Sequence, residues 1–381
     1  MTSPRETLPL TAAGESLRVR DLPKVSLHDH LEGGLRESTI LEVGQTLRLP
    51  IPADDVESLS DWYLRAAHSG SLVKVLESFW MSDAIMQTAD VLSRVACEYV
   101  LDLAFDGVIY GEVRWAPENK LTKGLTLDEA VEAVQSGLET GQAMAAERGH
   151  RIVVRQILAA MRNGPNAVEV ARLAVRWRDR GVVGFDIAGP ESGFPPSRHR
   201  EAFDLLVGEL FPVTIHAGEA DGVDSIRSAI VDGRALRLGH GVRISEDIAR
   251  TSEGTQLGPV AQWVRDRGVV LETSPTSNLH TGAVTSASLT DHPFDLLYRL
   301  GFAVTINTDN RLISQTTLSH EIALMCAAFG YGPTDLERFQ LNALSGAFVD
   351  VGERAELEAD IRHGYAAGTW GARRRPGRAA Y

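Results

Sequence analysis

Along the chain, short apolar runs alternate with amphipathic stretches from Val25 onward. Runs rich in Val, Ile, Leu and aromatic residues, several entered after Gly or Pro, predict strands near 25–30, 107–115, 151–160, 182–188, 211–216, 236–241, 268–274 and 302–308. Between them, Leu127–Arg148, Ala167–Arg180, Ser225–Asp232 and Leu257–Arg267 carry apolar positions at helical spacing. Strands and helices in alternation predict an α/β fold, a parallel (β/α)8 TIM barrel; an open sheet of six or seven strands is the alternative. The roughly 75 residues between the first two strands are helical in pattern, with Leu72, Val75, Leu76 and Phe79 on one face of a helix expected within Ser71–Phe105. An insertion there follows the C-terminal end of a strand and sits over the barrel mouth, as extra packing or as a lid. With no internal repeat and no second composition regime, the expectation is one domain over 23–365. A loose polar arm is expected over 1–22, and a basic, solvated tail over 366–381.

Composition narrows the partners. The formal net charge of −13 argues against nucleic acid or an anionic membrane as a broad-surface partner and leaves small molecules open. Cys97 and Cys326 are the only cysteines, too few for a disulfide framework or a thiolate metal cluster. No stretch has the length and apolarity of a signal peptide or membrane span, so the expected location is cytoplasmic. Whether the chain is a monomer or a homo-oligomer is left open. Lysine occurs only at positions 24, 74, 120 and 123. A late-strand lysine nucleophile and a carboxylated lysine bridging two metals are therefore both excluded.

The unusual residues fall at strand ends. His28 and His30 close the first strand, His216 and Glu219 follow the fifth, His240 the sixth, and Asp309-Asn310 the eighth. A barrel gathers these ends into one site, and buried His and Asp are costly unless paired or bound to a metal. His28, His30, His216 and Asp309 offer three nitrogens and one oxygen, a set suited to zinc with an open position for water. Glu219, beyond the turn at Gly218, stands beside such an ion as a proton carrier, and His240 as a group that orients or deprotonates the water. These residues point to metal-assisted hydrolysis with the leaving group unspecified. Glu112 and Glu272 would be the carboxylates of a glycosidase, which leaves the metal set without a purpose; an internal Glu112–Arg114 ion pair is expected instead. The zinc cytidine-deaminase type needs a Pro-Cys-x-x-Cys pair that two isolated cysteines cannot form.

The segments PKVSLHDHLEGG, GVIYGEVRWAPE, VVGFDIAGPE, TIHAGE, RLGHGVRI, SPTSNLHTGA and TINTDN stand in this order between Pro23 and Asn310. In these the chain resembles the adenosine deaminase family of the amidohydrolase superfamily, in its bacterial branch. The resemblance spans roughly Pro23 to Tyr365. It implies one Zn2+ per chain on His28, His30, His216 and Asp309, and a small purine nucleoside as substrate. Glu219 would protonate the purine ring nitrogen beside the reacting carbon, and His240 would hold the attacking water and stabilise its charge. Substrate contacts would come from His30, Glu32, the Gly189 N–H and Asn310, with Leu72, Val73 and Leu76 lining the purine pocket and Asp186 as a possible orienting group. The expected reaction is zinc-dependent deamination of adenosine, and of 2′-deoxyadenosine, to inosine and ammonia. Deamination of a 5′-modified nucleoside or of adenine is the alternative, and an inactive nucleoside-binding relative a further one. Three positions depart from the family pattern. Asn310 stands where Asp is frequent, Glu32 where Asp is usual and meets the ribose 5′ hydroxyl, and Thr273-Ser274 where Leu-Cys or Ile-Cys is common.

Overall fold

The computed structural model describes residues 7–8, 17–252, 254–286 and 288–368. Eight parallel strands carry the architecture: β1 (Lys24–His30), β2 (Val108–Trp115), β3 (Val153–Met161), β4 (Val182–Ala188), β5 (Thr214–Ala217), β6 (Arg237–His240), β7 (Val270–Thr273) and β8 (Val304–Ile306). They form two four-stranded sheets, each in sequence order. Parallel bridges Phe185↔Val213 and Asp29↔Asp309 close the two sheets into one ring. Closure removes both sheet edges, so the expected barrel of eight strands is the one found.

Alternate residues along a strand face opposite sides. On β2, Val113 and Trp115 lie among the apolar core residues, while Glu112 and Arg114 are fully buried with charged partners contributed by other strands. The barrel interior is therefore ionic. Arg114 pairs with Asp186 at 2.8 Å and Glu272 at 2.5 Å, and Arg237 pairs with Glu112 and Glu272. The expected Glu112–Arg114 pair does not form. The two side chains project from one face at different heights, and each meets an opposite charge across the barrel. The same pairing removes Glu112 and Glu272 from any glycosidase role.

Helices pack outside the strands, and side chains cap the free N-termini of some of them. Thr126 and Glu129 form a capping box at α6 (Leu127–Glu147), and Asp350 accepts from Gly352 N and Glu353 N at the start of α16 (Val351–Ala367). The expected helices over 167–180, 225–232 and 257–267 correspond to α7 (Ala167–Arg176), α9 (Val223–Val231) and α10 (Pro259–Asp266), with α8 (Arg200–Gly208) before β5. The stretch between β1 and β2 holds five helices: α1 (Glu37–Leu47), α2 (Val56–Ala67), α3 (Leu72–Glu77), α4 (Trp80–Ile85) and α5 (Ala89–Phe105). The expected helical face of Leu72, Val75, Leu76 and Phe79 falls on α3 and the turn after it, and Ser71–Phe105 as a whole holds three helices. Thr88 restarts the chain by accepting from Val91 N at α5. The expected loose arm is anchored where it is described: Thr7–Leu8 pairs with Leu17–Arg18, and Val19 and Leu22 are buried. The tail beyond residue 368 lies outside the described residues. Among these, no helix is long and apolar enough to cross a membrane.

Candidate active site

Backbone pairing brings the first and last strand ends together. Asp309 N donates to His28 O at 2.9 Å, and His30 N donates to Asp309 O at 2.8 Å. Asp309 adopts φ 59°, a left-handed conformation unfavourable for a non-glycine residue that is tolerated where the surroundings enforce it. Its Oδ1 lies 3.4 Å from His28 Nε2 and 3.3 Å from His30 Nε2, and His30 Nε2 lies 3.1 Å from His216 Nε2 of β5. One donor atom from each of His28, His30, His216 and Asp309 falls within 4.8 Å of all the others.

Outer partners orient these donors. His28 Nδ1 meets Glu272 Oε2 at 2.8 Å, and His216 Nδ1 lies 2.8 Å from Asp186 Oδ2. Burial opposes the charge on Glu272, yet Arg114 and Arg237 hold its carboxyl well below the usual range. For Asp186, His216 and Arg114 do the same against burial. Glu272 accepts the Nδ1 proton of His28, and Asp186 stands against His216 Nδ1, which turns the Nε2 atoms toward the cluster. His28 Nε2 is buried without a hydrogen-bond partner. Burial lowers the pKa of His30 and of His216, favouring the neutral, ligating form. Ser277 Oγ donates to Asp309 Oδ2 at 2.6 Å and leaves Oδ1 to the cluster. Three oriented imidazoles and one aspartate oxygen fit a zinc ion by donor type and number.

Gly239 keeps this space open. A Cβ there would lie 3.0 Å from His28 Cε1 and 3.1 Å from His216 Cα. We expect Gly239→Ala to displace His28 and weaken zinc binding by about 10-fold or more, measured by metal competition; equal affinity would refute the packing argument.

Glu219 and His240 stand beside the cluster, with His240 Nε2 3.5 Å from Glu219 Oε2. The loop carrying Glu219 is held by Glu191, whose carboxylate accepts from the N–H groups of Gly218, Glu219, Ala220 and Asp221 and from Ser225 Oγ. Burial, then the charges of Asp309 and Glu191, push the Glu219 carboxyl well above the usual range, which favours its protonated form. His240 also has a left-handed backbone, at φ 62°. Asn278 Oδ1 accepts from Ser274 N at 3.2 Å, so its Nδ2 donates to His240 Nδ1 at 3.0 Å. Burial keeps His240 neutral, which leaves its single proton on Nε2, toward Glu219. Of the two roles considered for His240, this tautomer supports orienting the water by donation.

An adenosine deaminase family model matches residues 23–363. The chain belongs to the adenosine deaminase family. An adenosine deaminase of Mycobacterium avium is 50% identical over 358 residues, covering 92% of this chain and 97% of that protein. One of Mycobacteroides abscessus is 49% identical, covering 94% and 99%. Among solved structures, a zinc-bound amidohydrolase from Burkholderia ambifaria superposes with a TM-score of 0.78 at 25% identity, covering 92% of each chain.

Within this family member, the remaining expected residues lie around the same mouth. Gly189, at φ 105°, follows the C-terminal end of β4. Asn310 is buried against Gly33, where a Cβ would fall 2.2 Å from Asn310 Oδ1. Glu32 lies two residues past His30 and accepts from Lys120 Nζ at 2.9 Å and Ala116 N at 3.2 Å. The helical insertion reaches the short helix Pro275–His280 that follows β7: the rings of His68 and His280 are 4.6 Å apart. Val75 is the buried residue of α3, while Val73, expected in the purine pocket, is 56% exposed. The sequence does not single out Glu191, Ser277 and Asn278, and it offers Glu272 only as a glycosidase carboxylate. The signal available is position: Glu191, Ser277 and Asn278 lie inside family segments a few residues past a strand end, and Glu272 lies on β7 itself.

Proposed function

We propose that this chain catalyses zinc-dependent hydrolytic deamination of adenosine, and of 2′-deoxyadenosine, to inosine and ammonia. The observation that carries the reading is Glu219 and His240 standing beside three imidazoles and Asp309 gathered at the strand ends. His28, His30, His216 and Asp309 would hold one zinc ion. When bound, the ion supplies Lewis acidity that brings the pKa of a water toward neutrality. Glu219 donates its proton to the purine ring nitrogen next to the amino-bearing carbon and makes that carbon electrophilic. His240 donates from Nε2 to the incoming oxygen and stabilises its charge. Water adds to the carbon and one of its protons passes to the amino group; the carbon–nitrogen bond breaks, ammonia leaves, and the remaining hydroxyl proton returns to Glu219 as the carbonyl forms. The Gly189 N–H and Asn310 orient the purine from the side away from Glu219. Loss of adenosine absorbance with release of ammonia, abolished by a chelator and restored by zinc, is the expected assay result. Adenosine binding without ammonia release, insensitive to chelator, would indicate the inactive relative.

Asn310 replaces a carboxyl that must be protonated to donate to a ring-nitrogen acceptor, whereas an amide donates at any pH. We expect Asn310→Asp to give a KM for adenosine that rises with pH as the new carboxyl ionises. A pH-independent KM would remove Asn310 from the purine contact.

A further inference from the structure

Lys120, one of four lysines in the chain, is fully buried. Its ammonium meets Glu32 Oε1 at 2.9 Å and Asp83 Oδ1 of α4. Burial opposes its charge, and the two carboxylates more than offset that. It thus joins three elements: the turn after β1, the turn after β2, and the helical insertion. Gln87 ties the last two again, donating to Asp83 O and Asn119 O and accepting from Thr122 N. Ala116 N shares Glu32 Oε1, while Glu32 Oε2 is buried with no hydrogen-bond partner.

Two carboxylates on one buried ammonium are a poor device for stability alone, since desolvating three charges offsets their attraction. An orphaned carboxylate oxygen adds a cost that falls only when a donor arrives. This oxygen sits at the barrel mouth, two residues from His30.

We propose that Lys120 is a positioning residue that pins Glu32 so that Oε2 accepts one sugar hydroxyl of the substrate, while the surplus negative charge of Glu32–Lys120–Asp83 rejects a phosphate ester. The inference rests on the adenosine reading and assigns Lys120 and Asp83 within it. It also accounts for Glu at position 32: the longer side chain spans from the turn after β1 to Lys120 and Ala116 N together.

The test uses the zinc-loaded full-length enzyme with adenosine, its 2′-, 3′- and 5′-deoxy analogues, and AMP as inhibitor. In the wild type, one deoxy analogue should lose about tenfold in kcat/KM, the effect of one unmade hydrogen bond to a charged acceptor. In Lys120→Met the uncompensated carboxylate no longer stands as a fixed acceptor. Adenosine and that analogue should then differ by less than about twofold, through a raised adenosine KM at little-changed kcat. Asp83 is 32% exposed. Asp83→Asn removes the surplus charge, and AMP should inhibit adenosine turnover at least about threefold more tightly. A folded Lys120→Met enzyme that keeps the discrimination, or an Asp83→Asn enzyme with unchanged AMP inhibition, overturns the proposal. If Lys120→Met does not fold, the Asp83→Asn result decides. A wild type that does not deaminate adenosine would instead fail the underlying reading.

Discussion

Glu219→Gln is expected to lower kcat on adenosine by about 10²–10⁴-fold, the range for loss of a general acid, with KM changed little. Gln preserves the shape and the pull of Glu191 on the surrounding backbone but has no proton to give up. The reading also fixes a sign for pH dependence. Burial and the charges of Asp309 and Glu191 raise the Glu219 pKa, which favours the active, protonated form toward higher pH than an ordinary carboxyl allows. It is lost as pH rises through the raised value. Wild-type kcat/KM should therefore fall on an alkaline limb, and the residual activity of Glu219→Gln should lack that limb. A Gln variant that keeps both the rate and the limb would remove Glu219 from proton transfer.

Asp309→Asn should be as damaging by a different route. Asn tolerates the left-handed backbone found at φ 59° and retains a hydrogen-bonding oxygen for Ser277, so the fold is expected to survive. What disappears is the negative charge that Asp309 adds to the three imidazoles of the donor set. Losing an outer partner of a metal ligand typically costs 10–100-fold, so losing the anionic ligand itself should weaken zinc binding by more than about 100-fold. Turnover should fall in step with occupancy. Metal content, melting temperature and kcat measured on one preparation separate this result from misfolding. Full zinc occupancy with normal turnover would show that Asp309 is not a ligand.

The barrel and the four donors were legible in the sequence because both follow from local pattern. Apolar runs broken by helical stretches specify parallel strands, and polar residues at successive strand ends must then share one mouth. The orienting groups were not legible in the same way. Glu272 lies 244 residues from His28 in the chain, and only closure of the ring brings them together. Arg114 was expected to pair with Glu112, two positions away, yet finds Asp186 and Glu272 across the barrel. Strand periodicity shows which face a side chain takes, but not which opposite wall it meets. The helical pattern of the insertion likewise does not show that the chain turns before Thr88, where a new helix is capped.

The most direct measurement is a zinc titration of metal-stripped protein, with bound metal and adenosine turnover read on the same samples. The expected result is that the two rise together and saturate at one zinc per chain, with Asp309→Asn failing to follow. Full turnover with no bound metal, or zinc held equally well by Asp309→Asn, would contradict a single ion gripped by His28, His30, His216 and Asp309.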